Sequence, residues 1–271
     1  LVLAALADAE EALGYESRAR DAIGLAFQRG TGLARTERLE LEARYRRLEG
    51  DWQRTIDLYR SLWIFHPDHL DHALRLLEAQ IEAGRTSEAA ETLAALQALP
   101  PPLGQDVRLD LWEAEVRLRS NDYARMRVTA DRLISRAREL RAPNLEARGL
   151  FLASLAARHV ESLSASRNLL EEARRAYEAN GDRGGVAQVL HAEGNLHYAA
   201  GDPTEAARAF TEAIQVANQV GRRKQASSST HGLAMAVSSL NDAAEAIRLG
   251  SAKLPVDTRF VRRVQQVEEA A

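Results

Sequence analysis

Four groups of residues carry types that can do chemistry. The first is His66-Pro67-Asp68-His69-Leu70-Asp71-His72. His69 and His72 stand three apart and can share a helical face, as two metal ligands must. Pro67 sets the segment in a turn, however, no fourth ligand is apparent, and no Glu separates paired His as on a metalloprotease helix. The segment therefore reads as turn and cap residues. The second group, Ser227 to Ser229 with Thr230 and His231, holds a hydroxyl nucleophile type and a base type. Neither a strand-to-helix elbow nor a Gly-rich oxyanion loop accompanies it, so it reads as a polar helix. Third, Gly184-Gly185 has no preceding strand and no following Gly-Lys-Ser/Thr to cradle phosphate; it reads as a helix start. Fourth, Arg222-Arg223-Lys224 and Arg262-Arg263 are short and free of interleaved aromatics, so no nucleic-acid binding is expected. The chain has no Cys, which excludes thiolate catalysis, disulfides and Cys-ligated metals. The expectation is a non-enzyme with no cofactor and no metal.

The elements that would hold these residues are helices. Of 271 residues, 49 are Ala and 37 are Leu, and aromatics make up 5%. Two strong helix formers in such excess point to an all-α protein. A charged fraction of 28% against 45% hydrophobic places the chain among folded proteins. No apolar run is long enough to span a membrane. The opening Leu1-Val2-Leu3-Ala4 has no Met and no basic leader, so the chain reads as a fragment without a secretory signal and a cytoplasmic location is expected.

Repetition organises the chain. Gly14 recurs between helical patterns as Gly50, Gly84, Asn121, Glu161, Gly201 and Ser239, at spacings of 36, 34, 37, 40, 40 and 38. Residues that leave a helix easily suit a turn between two helices. Asp51, Asp122 and Asp202 follow three of these anchors and can cap the next helix. Seven before each anchor stand Ala7, Ala43, Leu77, Ala114, Ser154, Gly194 and Gly232, mostly small. Residues 5, 9 and 12 after it, such as Ala89, Leu93 and Leu96, lie on one helical face. The last set, Ala244, Arg248 and Ser251, is degraded, as suits an end. Prolines 67, 100 to 102, 143 and 255 fall between units, and Pro203 starts a helix. The later units are longer by enough to add roughly one turn to a helix. Pro100 to Gly104 is expected to mark a bend.

These features resemble the tetratricopeptide repeat. Gly194…Gly201-Asp202…Ala206…Phe210…Ala213 carries the likeness, as does Glu42 through Gly50-Asp51-Trp52, Ile56 and Tyr59 to Pro67-Asp68. The resemblance implies an α-α superhelix of about seven helix-turn-helix units over 1–254, with 255–271 a capping helix or a truncated eighth unit. Each unit contacts only its neighbours in such an array, and its function is an extended surface. The resemblance further implies that inner slots lie ten, six and three residues before each anchor and bind a protein segment or peptide. These are Leu74, Glu78 and Ile81; Leu111, Glu115 and Leu118; Phe151, Leu155 and Arg158; and His191, Asn195 and Tyr198. An Asn amide both donates and accepts, so it can grip a peptide backbone whatever its sequence. His191 and Tyr198 add stacking area, and Arg158 with His159 can hold a carboxylate or phosphate. The family's Lys/Asn carboxylate clamp is not reproduced, since the lysines are Lys224 and Lys253. Trp52, Trp63 and Trp112 are expected in the core.

The segment from Phe65-His66-Pro67-Asp68 to Leu99-Pro100-Pro101-Pro102-Leu103-Gly104 is similar to the sensor region of multidomain bacterial signalling proteins with an attached winged-helix or Ser/Thr kinase domain. Two functions follow as expectations: an interaction scaffold, or a sensor that binds a signal peptide or small molecule and changes superhelical pitch. Self-association through the array ends is also expected, and membrane binding is not.

Overall fold

The computed structural model describes residues 2–248. It is helical from α1 (Val2–Ala12) to α13 (Arg223–Arg248), with no strand among the described residues. The helices are α2 (Glu16–Arg29), α3 (Arg35–Glu49), α4 (Trp52–Phe65), α5 (Leu70–Glu82), α6 (Thr86–Gln97), α7 (Val107–Arg119), α8 (Tyr123–Glu139), α9 (Pro143–Val160), α10 (Leu163–Ala179), α11 (Arg183–Ala199) and α12 (Pro203–Val220). They form six pairs and a thirteenth helix. From α1 to α10 each helix packs on the next, and α7 also meets α5 and α9. The chain divides into two compact units, Leu1–Gly185 with Val220–Arg222, and Val186–Gln219 with Arg223–Ala271.

The turns follow from backbone chemistry. Gly14, Gly50, Gly84, Asn121 and Gly201 all take positive φ, the left-handed conformation that ends a helix. The glycines do so without a Cβ penalty, and Asn121 relies on its tolerance of that region. Glu161 stays at negative φ, and there Ser162 caps α10 by accepting a hydrogen bond from the Ala165 amide. The expected aspartates cap as well: Asp51 accepts from Arg54 N, Asp122 from Arg125 N and Asp202 from Glu205 N. Ser239 is different, because it lies inside α13. It is no left-handed residue and no helix-capping Asp follows it directly, so nothing there interrupts the backbone hydrogen bonds. The expected helix over 255–271 and the slot residue Ser251 lie outside the described residues.

The core occupies the expected slots. All positions 5, 9 and 12 after the first six anchors are buried, from Ala19, Ile23 and Ala26 to Ala206, Phe210 and Ala213. Trp52 and Trp63 pack beside Ile56 and Tyr59, and Trp112 joins the Leu93–Leu109 cluster. Helices α1 to α7 run 11 to 15 residues, whereas α8 to α12 run 17 or 18. The added length thus begins with α8, one helix beyond the 3-10 turn at Leu103–Gln105.

Candidate functional site

The odd-numbered helices form one face of the first unit, and ion pairs bridge each neighbouring pair of them. Asp8 and Glu11 on α1 meet Arg44 and Arg47 on α3. Arg47 continues to Glu78 on α5 at 3.3 Å, where Arg75 also holds Glu78 at 2.9 Å. Asp71 and Glu82 on α5 meet Arg108 and Arg119 on α7. Glu115 on α7 meets Arg148 on α9. This ladder was not expected as a whole. Its sequence signal is opposite charge about one repeat apart: Glu11 and Arg47 each stand three before an anchor.

The electrostatics follow from crowding. Burial pushes the Glu78 carboxyl up, but Arg47 and Arg75, with Arg148 farther off, outweigh it and leave the group below the ordinary carboxylate range. Burial disfavours the charged form of Arg148; Glu115 and the Tyr177 hydroxyl restore it and raise the group further. Burial pushes the Tyr59 hydroxyl up to about 12, against the opposing pull of Arg75 and Arg47. Arg75 keeps 41% of its side chain exposed.

Several expected inner residues are occupied by packing. Leu74 and Ile81 were expected as exposed groove positions. They are buried in the cluster shared with Leu93, Leu96 and Val116, because their flank of α5 faces α6 and α7. Phe151 is buried, with the Arg148 guanidinium 5.5 Å from its ring centre. Leu155 and Arg158 are half-buried. His159 is exposed and stacks on Tyr123, ring centres 3.8 Å apart; burial first, and Arg158 second, lower its pKa.

In the second unit, α11 and α13 are joined by neutral groups. His191 Nδ1 lies 3.1 Å from Ser229 Oγ, and Tyr198 Oη lies 3.2 Å from Ser239 Oγ. Burial lowers the His191 pKa, favouring the neutral ring. Between them on α11, half-buried Asn195 makes no hydrogen bond to a described residue. Phe210 fills the space beneath. Cβ atoms on Gly194 and Gly232 would each come within 2.6 Å of its ring, so both glycines are required by close approach.

Three of the four chemical groups of the sequence are also placed, and of the fourth Arg262-Arg263 lies outside the described residues. His72 is buried with Nε2 2.7 Å from Glu40, and the His69 ring stacks on it at 4.3 Å. His66 Nε2 lies 3.3 Å from Thr36. The first contact ties α3 to α5 and the last ties α3 to the end of α4, and no cluster of three metal-binding side chains stands among the described residues. Ser229 pairs with His191, while His231 is exposed. Gly184 and Gly185 are buried against Arg222 and the Tyr177 ring.

Comparison with known proteins supports the architecture. Residues 47–108 match the family model described as tetratricopeptide repeat. No curated protein sequence matches the chain. A tetratricopeptide repeat protein from Parabacteroides merdae is similar at TM-score 0.59 and 16% identity, covering 84% of this chain and 83% of its own. A Rap protein complexed with Competence and Sporulation Factor follows at 0.58 and 13%, covering 92% and 79%. A STAND signal-transduction ATPase with a tetratricopeptide repeat sensor, from Pyrococcus horikoshii, gives 0.57 and 12%, covering 93% of this chain and 44% of that one. At these identities the likeness is one of fold. The repeat model is seated from the end of α3 to the start of α7, and the same helix pair recurs on either side, so the fold is a helical solenoid similar to those of tetratricopeptide-repeat proteins.

Proposed function

We propose that the chain is a non-enzymatic interaction module whose odd-numbered helices take up a protein segment or peptide. The observation that carries this is Asn195. Its carboxamide is unengaged among the described residues, while His191 and Tyr198 on either side are pinned to α13 by hydroxyls. A donor and acceptor held between two fixed rings suits a peptide backbone of any sequence. In the first unit, Leu155 and Arg158 offer an apolar contact and a cation, with Phe151 packed behind them and His159 at their end. Capture of a partner in pulldown is expected to fall with Asn195→Ala, and separately with Arg158→Glu. Unchanged capture by both variants sinks the assignment.

The likeness to a signalling ATPase with a repeat sensor favours a second reading. In it the module senses a peptide or small molecule in the cytoplasm of a bacterium and controls an attached DNA-binding or kinase domain. No helix among the described residues is long and apolar enough to cross a membrane. A small ligand that alone raises the melting temperature supports this sensor, as linkage requires.

A further inference from the structure

The first unit closes on itself at a seam made of turns. Gly50, Gly84 and Gly201 share positive φ with Gly14, yet a Cβ on any of the three would meet nothing within 4 Å. Gly14 is buried instead. A Cβ there would lie 2.7 Å from Gly184 Cα and 2.8 Å from Asp182 Oδ1. Gly221 is pressed in the same way: a Cβ on it would lie 2.6 Å from Ser17 Cβ. The turn after α1 therefore abuts the turns after α10 and α12, about 170 and 200 residues onward. Electrostatics across the inner face agree with a chain that comes round so tightly. Glu78 on α5 feels Arg148 on α9, and Arg75 on α5 feels Glu11 on α1.

Repeat arrays hold together through neighbour contacts alone, so their pitch is soft unless something spans a full circuit. Here Gly14 meets Gly184 backbone against backbone with no room for a Cβ, and the Ser17 side chain rests on Gly221 in the same way. We propose that this seam is a latch: closed, it fixes the superhelical pitch of the first unit, and open, it lets the unit extend and uncover its charged inner face. Its bearing on signalling rests on the inner-face reading above. Its action as a latch does not.

The test uses the full chain and two matched pairs. Ser17 and Ser87 are exposed and hold the same second position of the outer helices α2 and α6. Ser17→Arg wedges the seam, and Ser87→Arg controls for an added charge at a helix start. We expect Ser17→Arg alone to raise the radius of gyration and maximum dimension in small-angle scattering. It should also lose amide-exchange protection at residues 13–17 and 181–185, at unchanged helicity. Gly14→Ala and Gly50→Ala force the same left-handed strain, but only the first strikes a neighbour, so it should lower the melting midpoint further. Scattering and exchange of Ser17→Arg identical to wild type would overturn the latch, and so would equal midpoints for the two glycine variants. No partner is needed for these readouts. Loss of capture by Asn195→Ala with an unmoved seam keeps the groove and removes the latch; the reverse keeps the latch and removes the groove.

Discussion

The two units solve one problem differently. Successive inner helices must be joined side by side, and in the first unit charge does it. Arg47 bridges Glu11 and Glu78, and Arg148 takes Glu115. In the second unit, hydroxyls join α11 to α13, and glycines let both approach Phe210. Small residues permit close contact and a shared apolar filler. Long charged side chains instead meet in ion pairs, several of them with a buried member such as Arg47 or Glu115. The difference teaches that a repeat fixes where helices stand and leaves open which force joins them.

The comparison can be broken where its anchors are single residues. Phe210→Ala is expected to cost roughly 4 kcal/mol, since a fully buried aromatic leaves a cavity. Hydrogen exchange should report the loss in α11 to α13; an equal loss in α3 to α5 would deny the second unit its own core. Glu78→Ala should cost about 2 kcal/mol because it strips buried Arg47 of one of its two carboxylate partners and Arg75 of its own. Glu78→Gln should recover part of that in chemical denaturation. Gly194→Ala should destabilise by roughly 2 kcal/mol through overpacking against Phe210; a neutral result would show that the ring shifts freely.

Acid sharpens the contrast. Glu78 and Glu40 have folded pKa values below 4.5, the latter through its His72 hydrogen bond, so their stabilisation is present above pH 4.5 and fades as pH falls through the lowered values. His191 is a base with a folded pKa below 6.5, so the unfolded chain takes up its proton first. Its stabilisation of the second unit is present above pH 6.5 and is lost as pH falls below it. Exchange measured between pH 7 and 5 should show α11 loosening before α3 and α5, and His191→Gln should abolish that order. The smallest effect is Tyr198→Phe, which removes one neutral hydrogen bond and should cost about 1 kcal/mol or less.

Much of this was legible in the chain itself. Anchors at near-constant spacing placed the turns, and the offsets of 5, 9 and 12 named the core, because a helix repeats its face every three or four residues. Asp51, Asp122 and Asp202 cap as local chemistry requires. The inner slots were harder. Leu74 and Ile81 share register with Glu78, yet register does not say how far α6 and α7 roll over their flank. The buried Phe151 and the stacked His159 show the same limit. Ser239 shows a second one: spacing alone cannot make a turn without a residue that leaves the helix.

The sequence by itself determined the helices, their pairing and the buried face of each, since these depend on local propensity and period. Only the tertiary structure decided which charges meet across repeats, which hydroxyls hold His191 and Tyr198, and that Gly14 closes on Gly184 while Gly50 stays open. Identical glycines with identical φ differ there because neighbours far away in the chain arrive at one and not at the other. That arrival depends on the summed small rotations of every unit between them, which no single repeat encodes.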